Sequence, residues 1–85
     1  MSSVGVPARV EVFTRPGCHL CVAALAIVAR VCAETGTTFV EHDINDDPDW
    51  LRRYTEQVPV TAVDGRPHDF WRVDADRLRA ALGGA

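Results

Sequence analysis

From Arg9 to Thr14 apolar and β-branched residues alternate with polar ones around Val10, Val12 and Phe13, a pattern that predicts a first strand. Pro16-Gly17 breaks it. From His19 to about Glu34 the chain is rich in Ala, Leu, Val and Ile, and Cys21, Ala24, Leu25, Val28, Val31 and Cys32 recur at the spacing of one buried helical face. Gly36 stops that helix. Thr37 to Ile44 reads as a second strand, and a strand–helix–strand succession with this crossover implies a parallel pair. Asp47-Pro48 opens a second helix, with Asp47 as N-cap, Pro48 in the first position, and Trp50, Leu51 and Tyr54 on one face.

Val58 to Val63 is a third predicted strand. Asp64-Gly65 signals a two-residue hairpin, so a fourth strand, Arg66 to about Trp71, runs antiparallel to the third, and Pro67 confines it to a sheet edge. The last helix begins at Asp74, whose carboxylate caps it while Val73 and Leu78 form a hydrophobic staple, and Gly83 ends it. The order is βαβαββα. Right-handed crossovers then put helices on both faces of a mixed four-stranded sheet, an α/β fold of three layers.

Length and composition narrow the class. The chain of 85 residues reads as a single domain over 1–85, with no repeat, linker or low-complexity tract. Hydrophobic residues at 47% and charged residues at 25% fit a globular fold. The net charge is −3, and the nine basic residues, all arginine, are scattered, which argues against nucleic-acid and anionic-membrane partners. No apolar run approaches the roughly 18 residues of a membrane span. Met1 to Pro7 lacks the pattern of a secretory signal, so a cytoplasmic address is expected. Three cysteines are too few and odd in number for a disulfide scaffold, which leaves two of them for chemistry.

Cys18-His19-Leu20-Cys21 falls at the turn from the first strand into the first helix, with Cys18 near the N-cap and Cys21 near N3. Unpaired N–H groups and the positive end of the helix dipole favour a thiolate at Cys18, lowering its pKa from about 8.5 into a range of about 3.5–7.5. Cys18 is thus the candidate nucleophile. Three-residue helical spacing separates the two Cα atoms by about 5–6 Å, inside the disulfide window, so Cys21 is the candidate resolving thiol. The competing use of the pair is metal binding, zinc or a shared iron–sulfur cluster, with His19, His42 and His68 as possible further ligands to zinc; a second C-x-x-C is absent. A non-catalytic binding module of the same fold is a third reading.

Around the pair, Arg15 can place a cation near the Cys18 thiolate or a substrate carboxylate, and a protonated His19 would stabilise the same thiolate. Cys32 lies about 16 Å along the helix axis from Cys21 and reads as a small buried hydrophobe. Trp50, Tyr54, Phe70 and Trp71 read as core and edge packing. Val58-Pro59 begins the third strand, where proline fits only in the first position or as the cis isomer. Cis geometry would leave the Val58 backbone groups free for an extended substrate segment.

Thr14-Arg15-Pro16-Gly17-Cys18-x-x-Cys21, followed by Asp43-Ile44 and by Val58-Pro59 before a hairpin, resembles glutaredoxin over nearly the whole chain. More closely, it is similar to short bacterial glutaredoxin-like proteins with a Cys-His-Leu-Cys centre. The resemblance implies a thioredoxin-like fold, a thiol–disulfide oxidoreductase, a cis Pro59 beside the cysteines, and Arg15 in the place of the basic residue flanking the glutaredoxin centre. It implies that Asp74 matches the acidic cap that meets the glutamyl end of glutathione. His-Leu replaces the usual Pro-Tyr, and Phe70-Trp71-Arg72-Val73 fills the stretch where glutaredoxins carry Gly-Gly for glutathione. Thioredoxin's buried acid on the first strand is replaced by Val12. The expected partners are a disulfide-containing protein or low-molecular-weight thiol and a reductase or thiol reductant, with no resident cofactor and glutathione disfavoured.

Overall fold

The computed structural model describes residues 8–83; Met1 to Pro7, read above as lacking a secretory signal, lie outside them. Strands β1 (Val10–Thr14), β2 (Phe39–Asp43), β3 (Val60–Val63) and β4 (Arg66–Phe70) alternate with helices α1 (His19–Thr35), α2 (Pro48–Tyr54) and α3 (Ala75–Ala81) in the expected order. The sheet order is β2-β1-β3-β4. β1 pairs with β2 in parallel and with β3 antiparallel, and β4 closes the edge antiparallel to β3.

Residue parity on β1 separates two cores. Val10 and Val12 pack with Ala24, Val28, Val31 and Cys32 of α1 and with Val73, Leu78 and Leu82 around α3. Phe13 faces the other way, packing with Ile44, Tyr54, Val58, Val60 and Cys21. The sheet is therefore covered by α1 and α3 on one face and α2 on the other. On the α2 side, Phe13 stacks against Tyr54 and Trp50 with ring centroids 4.8 and 5.3 Å apart. Leu51, expected beside them, is 37% exposed. Trp50 and Tyr54 are four residues apart and share the inner face, so the 100° step to Leu51 turns it outward.

Several strand ends differ from expectation for local reasons. Thr37 belongs to the end of α1: Gly36 adopts φ 67° and the Thr37 N–H donates to the Cys32 carbonyl at 2.9 Å, so β2 starts only at Phe39. Ile44 enters a single 3-10 turn, Ile44–Asp46, instead of extending β2. Pro59 has no N–H to offer the ladder, and β3 begins one residue later. The hairpin turns at Asp64-Gly65 with φ 52° and 83°, both positive as a type I′ turn requires. Arg9 clamps it, donating from Nε and Nη2 to the two Asp64 carboxylate oxygens at 2.9 Å each. Asp47 and Asp74 cap α2 and α3 as the sequence predicts. No described helix is long and apolar enough to cross a membrane.

Candidate active site

The first turn of α1 begins at the C-terminal end of β1, after the Pro16-Gly17 break. Cys18 is the N-cap in extended conformation, and its Sγ accepts the Cys21 N–H at 3.1 Å. Sulfur thus occupies the place usually taken by a serine or aspartate oxygen, meeting one of the unpaired donors of the helix start. No acidic side chain stands in the first turn of α1 to oppose negative charge there. Cys18 and Cys21 form a disulfide with their Cα atoms 5.2 Å apart, as the three-residue spacing requires. The two differ in access: Cys21 is 3% exposed and packs with Phe13 and Val60, whereas Cys18 is only partly buried. Cys32 is free and buried on the other core, and burial pushes its thiol pKa up.

A cleft of about 290 Å³ opens beside the disulfide, lined by Thr14, Arg15, Cys18, His19, Cys21 and Glu41 among others. Arg15 and His19 are therefore brought to the cysteines. Arg15 Nη1 donates to the Thr55 carbonyl at 3.4 Å, which draws the guanidinium to the end of α2. Val58 and Pro59 are buried, the peptide bond between them is cis, and Val58 packs in one cluster with Cys21, against which Cys18 also packs. The Pro59 carbonyl accepts the Trp71 N–H at 2.8 Å. Asp74 is not brought to the cleft: its Oδ1 accepts the Arg77 N–H at 3.0 Å, and its own N–H donates to Asp69.

The other two histidines do not join His19 at the pair. His42 lies on the α2 face, bonded to Glu11 at 3.0 Å and stacked 4.7 Å from Trp50, and His68 belongs to β4. Among the described residues no group of three or more His, Cys, Asp or Glu is gathered as a metal site. Phe70 and Trp71, expected as packing, are 39% and 52% exposed. β4 is an outer strand, and Trp71, at φ 65°, turns the chain out of the ladder.

Glu41 is the site residue that the sequence did not disclose. Its Cα partner across the ladder is Val12, so its side chain shares the α1 face of the sheet. There its Oε2 accepts the hydroxyl of buried Thr14 at 2.7 Å. An acidic residue at an α1-facing position of β2, in phase with Phe39, was the available signal.

A family model for the glutaredoxin-like domain (DUF836) matches residues 9–83. An uncharacterised protein of Mycobacterium tuberculosis is 34% identical over 79 residues, 87% of this chain and 81% of its own. The X-ray structure of a Xanthomonas campestris protein (X. campestris structural genomics target XcR50) superposes with a TM-score of 0.71 at 35% identity, covering 89% of this chain and 97% of that one. At the level of fold alone, Fasciola hepatica thioredoxin superposes with a TM-score of 0.56 at 19% identity, covering 89% of this chain and 80% of its own. The family match and the close Cys18–Cys21 pair together support a thiol redox role. With the motif, the fold and the relatives in agreement, this chain belongs to the glutaredoxin-like domain family.

Proposed function

We propose that the protein is a dithiol–disulfide oxidoreductase in which Cys18 is the nucleophile and Cys21 the resolving thiol. The observation that carries this reading is the N-cap position of Cys18, with its sulfur accepting the Cys21 N–H in a partly open cleft. In the forward direction the Cys18 thiolate attacks a substrate disulfide, one substrate sulfur leaves as a thiolate, and a mixed disulfide remains on Cys18. Cys21 then attacks Cys18, releasing the second substrate thiolate. The Cys18–Cys21 disulfide has taken the place of the substrate disulfide, and an external thiol or reductase returns two electrons.

Arg15, on the cleft wall, supplies positive charge to the Cys18 thiolate and to anionic substrate groups, and His19, lining the same cleft, adds to it when protonated. Val58, before the start of β3, offers backbone groups to an extended substrate segment. The substrates are a disulfide-bearing protein or a low-molecular-weight disulfide.

Alkylation of the reduced protein across pH, together with two serine variants, tests the roles. Cys18 should alkylate faster than Cys21 near neutrality, with a pKa below that of a free thiol. Cys21→Ser should accumulate mixed disulfides and Cys18→Ser should form none. Faster alkylation of Cys21, or stoichiometric iron or zinc on the cysteines of freshly purified protein, would refute the assignment.

A further inference from the structure

Resolution of the mixed disulfide needs a thiolate at Cys21, and Cys21 has little help in ionising. It is 3% exposed and sits inside the first turn of α1, behind the N-cap sulfur. A free thiol is largely protonated at neutral pH, so a group that takes the proton as sulfur attacks would accelerate the step. Among the described residues the cleft beside Cys21 carries three ionisable side chains besides the cysteines: Arg15 from the turn before α1, His19 from α1 and Glu41 from β2. Arginine stays protonated and accepts nothing. His19 and Cys21 are two residues apart on one helix, about 200° around its axis, and do not face each other. Glu41, an exposed residue of β2, lines the same cleft as Cys21 and Leu25.

The carboxylate is also kept available. Among the described residues the other site-facing acid of β2, Asp43, is occupied by the backbone and side-chain N–H groups of Asn45. Glu34, Asp49, Asp64, Asp69 and Asp76 are paired with arginines and Glu11 with His42, whereas Glu41 makes no ion pair among the described residues. Its one side-chain partner among the described residues is the hydroxyl of Thr14, which is 3% exposed and anchored at the end of β1. A hydroxyl donor orients the carboxylate and leaves its other oxygen free to accept a proton.

We infer that Glu41, held by Thr14 as its positioning residue, accepts the proton of Cys21 across the cleft during resolution. This rests on the oxidoreductase reading above. In the step, the Cys21 S–H bond breaks toward the Glu41 carboxylate, the Cys21–Cys18 sulfur bond forms, and the substrate sulfur departs with the electron pair of the mixed disulfide. The departing thiolate is protonated by solvent or by the Glu41 carboxyl. When an external thiolate reduces the Cys18–Cys21 disulfide, the same carboxyl returns the proton to Cys21.

Dithiobis(nitrobenzoate) reads both steps, because capture by Cys18 and resolution by Cys21 each release one coloured thiolate. Stopped-flow traces of the reduced full chain should show two phases. In the wild type the second phase should stay nearly level from about pH 8.5 to 6.5. In Glu41→Gln it should fall about tenfold per pH unit, roughly a hundredfold over that span, following the thiolate fraction of an unassisted thiol. Thr14→Val should lower the second phase several-fold without imposing that slope. Formate added to Glu41→Ala should restore the second phase in proportion to its concentration, which a misfolded variant would not allow. A Glu41→Gln second phase that tracks the wild type at every pH would overturn the proposal, as would His19→Ala imposing the slope in its place. Absence of the first phase from the wild type would sink the oxidoreductase reading itself.

Discussion

Replacing Trp71 with glycine should weaken the fold moderately and open the protein to glutathione. Trp71 holds φ 65°, a left-handed conformation that costs a non-glycine residue about 1–2 kcal/mol, so glycine relieves it. The added freedom of glycine in the unfolded chain takes back about 0.4–1 kcal/mol. The indole is 52% exposed, so about 100 Å² of its surface is covered, worth about 2.5 kcal/mol at 25 cal/mol/Å². Its N–H also donates to the Glu56 carbonyl at 3.1 Å, a bond worth about 0.5–1.5 kcal/mol. The balance is a loss of about 3 kcal/mol, lowering Tm by roughly 12–24 °C in a domain of this size while leaving it folded at room temperature. The same bulk stands between the groove under Leu20 and the one beside Arg52 and Arg53, next to the Pro59 carbonyl. This is the stretch in which glutaredoxins carry glycines for the tripeptide backbone. Restoring one close contact region worth about 1.4 kcal/mol would raise glutathione-driven turnover about tenfold. The assay compares turnover of a model disulfide by glutathione plus glutathione reductase with turnover by a thioredoxin-reductase couple at matched potentials, for wild type, Trp71→Gly and Trp71→Asn. Asparagine tolerates left-handed backbone and serves as the second variant. Glutaredoxin-like turnover of the wild type with glutathione, or folded variants with no gain, would refute the reasoning.

Two further outcomes follow from the cores and the surface pairs. Cys32→Ala should leave disulfide exchange unchanged and lower stability by about 0.5–2 kcal/mol, because it removes a buried sulfur whose thiol is held protonated by burial; lost exchange at unchanged Tm would contradict this. Hydrogen bonds from Arg9 and Arg79 hold the Asp64 and Glu34 carboxyls below the usual carboxylate range. A depressed folded-state pKa adds stability above the unfolded value, near 4, and that stability is lost as pH falls through the lower folded values. Urea denaturation from pH 6 down to about 2.5 should therefore show an acid loss that the Asp64→Asn, Glu34→Gln double variant reduces, and an identical acid profile in that variant would be the contrary result.

Features with short-range causes were legible in the sequence. The Asp64-Gly65 turn, the aspartate caps of α2 and α3 and the glycine end of α1 each rest on a few consecutive residues, and each is present. The strand limits were less legible because other parts of the chain decide them. Thr37 is drawn into the cap of α1, and Trp71 is turned out of β4 toward the Pro59 carbonyl. The cysteine pair was readable for the same reason as the caps, since helical spacing alone brings the two Cα atoms to 5.2 Å. Arg15 and His19 are chain neighbours of Cys18 and could hardly lie elsewhere. Asp74 was readable as a cap, but its distance from the cleft depends on where β4 carries the chain.

Glu41 belongs to a different class of information. Its presence beside Cys21 depends on the parallel register that pairs Val12 with Glu41 and Thr14 with Asp43. Side chains alternate between the faces of a sheet, so a one-residue slip of β2 would carry Glu41 to the α2 side and bring Val40 or His42 to the cleft. What holds the register is apolar. Phe39, opposite Val10, must pack on the α1 core, and His42, opposite Phe13, must stack on Trp50 while bonding Glu11. The hydrophobic pattern of β2 thus has a chemical consequence: by fixing which face Phe39 takes, it fixes the carboxylate two residues later in the cleft that the resolving cysteine also lines.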